Sequence, residues 1–161
     1  MSEGLFERIK GWLTEEGVFK EIKEDEHVRC HCIIEYPLGS GAYMDVIQPR
    51  DRNDLVVIIS GVRLQEDHIE GLKAMGSKKR DALIWDMRFN LLFLPTSFRV
   101  MPDSDGPEYF EFSRELYEDG LTKNLLMDSL KQVYRCNLFV VWRMKRHFGE
   151  SPRSSRDPMY G

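Results

Sequence analysis

The sequence predicts an α+β fold: a helix, a three-stranded antiparallel meander, a second helix, two more strands and a long carboxy-terminal helix. Three observations carry this reading. Apolar residues recur at helical spacing in three separate stretches, and between them they alternate at strand spacing. The joints between the first strands hold only about five to seven residues, whereas a parallel crossover takes about a dozen. With 161 residues, 42% of them hydrophobic, the chain can fill one core. Residues 1–148 are expected to form a single α+β domain and 149–161 a disordered tail, since GESPRSSRDPMYG has too little apolar surface to offset its ordering entropy.

Leu5, Phe6, Ile9, Trp12 and Leu13 lie on one face of the first helix, with Ser2 to cap its start and Gly17 to end it. VFKEIKEDEH follows, and its acidic run reads as a solvated connection or an edge strand. Next, in HVRCHCIIEYP, Val28, Cys30, Cys32, Ile34 and Tyr36 point one way and Arg29, His31, Ile33 and Glu35 the other, which is a half-buried strand. PLGSG turns the chain, AYMDVIQ is a second strand, and PRDRND turns it again. LVVIISGVRL is apolar on both faces and therefore central.

Residues 65–94 change to helical period. Glu66 and Asp67 suit a first turn, where the helix dipole favours carboxylates. Ala82, Leu83, Ile84, Trp85, Met87, Phe89, Leu91 and Leu92 then make the helix apolar over much of its circumference. Gly71, Gly76 and Ser77 are the places where it would split or bend, and Pro95 stops it. Phe98 and Val100, then residues 109–112, give two strands around the turn formers MPDSDGP. The last helix, 122–148, would run about 40 Å, with Leu126, Leu130, Val133, Val140 and Met144 on one stripe and a basic final turn.

Charge and composition narrow the function classes. The formal net charge of -4 creates no field that would attract nucleic acid or an anionic membrane, so nucleic-acid binding is disfavoured. MSEGLFERIKGW is not a secretory leader, and no apolar run approaches the ~20 residues of a membrane span. Three cysteines, Cys30, Cys32 and Cys136, are too few for a disulfide scaffold and fit a reducing, cytoplasmic setting.

Each candidate site has a simpler structural account. On one strand the Cys30 and Cys32 thiols share a face about 6.6 Å apart at their Cα atoms while His31 points away, so the three cannot serve one metal. A zinc site would need Cys136 or His27 brought in by the fold. PLGSGAY lacks the helix and Lys-Ser/Thr of a phosphate loop and reads as a hairpin turn. Gln65, Glu66, Asp67, His68 and Glu70 fan around a helix, and Asp103 and Asp105 lack the further oxygen ligands of a calcium loop. No serine sits in a nucleophile elbow. The sequence therefore assigns no catalytic, cofactor-binding or metal-binding residue, and no cofactor. Arg143, Lys145, Arg146, His147, Arg153 and Arg156, with Trp142 or Tyr160 to stack on a base, could touch RNA, but complementing the helix dipole and solubilising a tail account for them.

The element order, carried by LFERIKGWL, DLVVIISGVRL, EDHIEGLKAMGSKKRDALIWDMRFNLLF, PDSDGPEYFEF and the closing helix, resembles the type III secretion chaperone-like fold of the Tir-chaperone and YbjN-type families. Within it the chain is similar to a small archaeal family known only as a domain of unknown function. The resemblance implies a homodimeric module that binds other protein chains and catalyses nothing. The apolar excess at 83–94 and 138–142 points the same way. The expected function is thus a non-enzymatic, chaperone-like interaction module with an unidentified protein partner. The alternatives are a metal- or thiol-dependent enzyme at Cys30 and Cys32, and weak RNA binding through the basic end.

Overall fold

The computed structural model describes residues 4–102 and 106–149. Helix α1 (Leu5–Glu15) buries Leu5, Phe6, Ile9 and Leu13, the face its spacing predicts, and Gly17 follows it at φ 74°. The expected cap Ser2 lies outside the described residues, as do Asp103, Asp105 and the tail beyond 149.

The acidic stretch after α1 contains an edge strand, β1 (Phe19–Ile22), with a bulge between Phe19 and Glu21. Strands β2 (Cys30–Glu35), β3 (Tyr43–Gln48) and β4 (Leu55–Arg63) form the expected antiparallel meander. The helical region then divides into α2 (Glu66–Ala74) and α3 (Ser77–Leu91), parting at Met75 and Gly76, whose ψ angles of 146° and 140° are extended. Strands β5 (Ser97–Met101) and β6 (Tyr109–Tyr117) come next. The last helix, α4 (Lys123–Phe148), is capped by Thr122, whose Oγ1 accepts from the Leu125 N–H at 3.0 Å.

All six strands pair antiparallel in the order β1-β2-β3-β4-β6-β5. Strand β4 is therefore central, as its two apolar faces require. The chain passes β4, makes β5 at the far edge, and returns to lay β6 between them.

Helices α1 and α4 cover one face of this sheet. Cys32, Ile34, Met44, Val46, Val56, Ile58, Val62, Phe110, Phe112 and Leu116 meet Leu126, Leu130, Val133, Val140 and Met144 there, all of them buried. Fully burying side chains of this size contributes about 1.5–3 kcal/mol each before entropy is charged. One polar bridge crosses the layers: Asn137 Nδ2 donates to Ser60 Oγ at 3.0 Å, and Ser60 Oγ donates to the Tyr43 carbonyl at 2.9 Å. It fixes the azimuth of α4 over β4, because a rotation would leave buried polar groups unpaired. The opposite sheet face carries His31, Ile33, Asp45, Ile47, Val57 and Ile59, all half-buried except the buried His31.

Candidate functional site

Cys30 and Cys32 share the core face of β2, as alternation requires, and all three cysteines are free. Burial pushes the Cys32 thiol up to about 12, and it raises the Cys30 and Cys136 thiols as well. A thiol held protonated is a poor nucleophile and a poor metal ligand. Cys136 instead lies 3.0 Å from Thr96 Oγ1, joining α4 to the segment before β5.

The hairpin turn has the backbone geometry of an anion nest, with Gly39 and Gly41 at φ 82° and 75°. Its occupant is internal. The Glu35 carboxylate accepts from the Gly41 N–H at 2.9 Å, and Lys20 Nζ stands 3.2 Å from its other oxygen. The Gly39 and Gly41 N–H groups, with Lys20, hold the Glu35 carboxyl below its ordinary range.

His68, one of the QEDHIE cluster, points inward and is 1% exposed; its Nε2 donates to the Gly149 carbonyl at 3.1 Å and its ring stacks on Phe148. It fastens α2 to the end of α4. Among the described residues no group of three or more His, Cys, Asp or Glu side chains could hold a metal ion. At the basic end, Arg143 pairs with Asp86 of α3 at 2.8 Å and lies over the Phe139 ring, while Arg153 and Arg156 lie outside the described residues.

Two features of the structure carry more. The first is the outer side of α3. Its inner side buries Ile84, Met87 and Leu91, yet Trp85, Phe89 and Leu92 face solvent at 46%, 57% and 64% exposure, followed by Phe93 at 88%. The Trp85 and Phe89 rings lie 5.7 Å apart, and Arg88 stands over Trp85. Between this side and edge strand β5 runs a groove of about 570 Å³, walled by Trp85, Phe89, Leu92, Phe98 and Val100 with Arg88 and Arg99 among its lining. Trp142, 63% exposed on α4, stands one residue before the Arg143 that binds Asp86. The apolar excess of 83–94 is readable in the sequence, but its division into an inner and an outer stripe needs the fold.

The second feature is His31, a strand residue that faces away from the thiols. Its side chain is 7% exposed, and both ring nitrogens face carboxylates: Nε2 lies 2.7 Å from Asp45 Oδ1 and Nδ1 3.3 Å from Asp25 Oδ2. Asp45 is its diagonal neighbour on β3, reached from the register His31↔Ile47 and Ile33↔Asp45. Asp25 comes from the connection between β1 and β2, where its other oxygen accepts from the His27 N–H at 2.9 Å.

Residues 5–144 match the family described as "Uncharacterized conserved protein (DUF2299)". The crystal structure of an uncharacterised protein from Methanothermobacter thermautotrophicus aligns with a TM-score of 0.84 and 32% identity, over 89% of this chain and 98% of that one. The crystal structure of YbjN from E. coli aligns with a TM-score of 0.47 and 11% identity, over 89% and 92% of the two chains. No curated protein matches.

Proposed function

We propose, from the premise that the chain belongs to the DUF2299 family of uncharacterised conserved proteins, that it is a non-enzymatic protein-interaction module of chaperone-like type, homodimeric and cytoplasmic. One observation carries the reading: the outer stripe of α3, Trp85, Phe89 and Leu92, together with Phe93 and Trp142, is exposed. Aromatic side chains offer about 150–250 Å² each. Weighted by their exposure, Trp85, Phe89, Leu92 and Phe93 alone present roughly 400–600 Å², the size of the largest patch on a typical monomer. That approaches the ~800 Å² each partner gives to a standard interface.

A second copy is the occupant this surface fits. Ala82, Trp85, Phe89 and Leu92 follow a three-four-three spacing, so two α3 helices laid antiparallel about a two-fold axis would set Trp85 against Phe89 and Ala82 against Leu92. The flanking charges are already engaged within the chain, Asp86 by Arg143 and Arg88 on Trp85. The same register sets Asp86 opposite Arg88 across the two-fold axis, so the flanking charges meet with opposite sign.

Light scattering across a concentration series tests the reading. The expected mass is twice 18.9 kDa, falling to the monomer in Phe89→Asp, a position exposed enough to leave the core intact. A wild-type mass that stays monomeric into the high micromolar range sinks the homodimer, and a dimer untouched by Phe89→Asp removes α3 as its surface.

A further inference from the structure

We infer that His31 is a proton-dependent latch, fastening the β1–β2 connection to the sheet through Asp25 and releasing it when the imidazolium loses a proton. A ring that carries a proton on each nitrogen donates to both carboxylates at once, and such charge-assisted bonds are about twice as strong as neutral ones. Once one proton has gone to solvent, one nitrogen turns a lone pair toward a carboxylate, and attraction becomes repulsion. The Asp25 contact is the one to break, because it is the longer, 3.3 Å against 2.7 Å, and because Asp25 sits on a connection while Asp45 is fixed in β3.

Little else holds this connection. Its ends are pinned by the Lys23 N–H to the His31 carbonyl and the Arg29 N–H to the Gln48 carbonyl, each at 2.9 Å. Between them Val28 N–H reaches the Asp25 carbonyl at a long 3.4 Å, and Arg50 donates to the Glu26 carbonyl. Asp25 therefore both binds the ring and organises the turn, through the His27 N–H.

The groups around the ring fix the direction. Asp25 and Asp45 face it directly; Lys23, Glu24, Glu26, His27 and Arg29 share the connection, and Glu7 and Lys10 of α1 line the adjoining pocket. The His27 N–H and then His31 hold the Asp25 carboxyl below its ordinary range, so it is charged throughout the window in which histidine titrates. The latch is closed while the ring is protonated and Asp25 ionised. It opens when the ring gives up a proton, and also in acid when Asp25 takes one up.

Amide hydrogen exchange read against the NMR titration of the His31 ring in the full chain decides this. Protection at His27 and Val28 is expected to fall about tenfold in step with loss of the His31 proton, the effect of one charge-assisted hydrogen bond. In Asp25→Asn, which keeps the shape and removes the charge, that step disappears while the ring still titrates. Protection that stays flat through the titration in the wild type overturns the latch, and so does a step that survives in Asp25→Asn.

Discussion

Gly61 of β4 lies under the Tyr109 ring, where a Cβ would stand 2.3 Å from the Tyr109 hydroxyl and 2.6 Å from the Phe110 carbonyl. The ring is a flexible neighbour, though Arg63 holds it from above at 5.3 Å; the carbonyl belongs to the β4–β6 ladder and cannot yield without breaking register. Gly61→Ala is therefore expected to lower stability by about 1–3 kcal/mol, the usual cost of overpacking. The check is the urea midpoint: an unchanged value would mean that the strand shifts freely. At this scale the sequence is legible where a side chain's fate depends on its own strand, as with half-buried Cys30 and buried Cys32 on one core face. It is silent where the partner is remote. Nothing near His31 or Glu35 announces that Asp45 and Gly41 will meet them, because those contacts are set by cross-strand register and a hairpin turn.

Elements with strong periodicity are readable, and α4 is the clearest case: a twenty-six-residue helix, its five predicted stripe residues buried and its start marked by Thr122. The Thr122 cap is isolated enough to test. Its hydroxyl takes one of the helix's four orphan N–H groups, so Thr122→Ala should cost about 1 kcal/mol in denaturant unfolding, with m unchanged. No loss would imply that the Lys123 contacts to Glu15 and Glu16, both 2.9 Å, anchor the start of α4 by themselves. Strand β1 is less readable, since its four residues alternate weakly and a bulge interrupts the pattern. The break between α2 and α3 is foreshadowed by Gly76 and Ser77. The two faces of α3 are not, because a helix apolar all round gives periodicity no direction to report.

For the whole molecule, element order is readable along the chain but does not dictate sheet order. The placement of β6 inside β5 depends on nine residue pairs between β4 and β6, from Leu55↔Tyr117 to Arg63↔Tyr109, that lie far apart in sequence. Such contacts are costly to close and leave no local trace. They also give the molecule a schedule. Synthesis runs from the amino-terminal side at about 5–20 residues per second, so roughly three to eleven seconds separate the making of Arg63 from that of Tyr117. Throughout that interval the central strand stands as a bare, apolar margin, with neither its neighbour nor α4 to shield it. A fragment ending at residue 108 is frozen in that condition. It is expected to sediment as aggregate while the full chain stays in solution; a soluble, cooperatively folding fragment would show that the meander shelters its own margin. For a cell, the hazardous moment of this protein's life comes before it is finished.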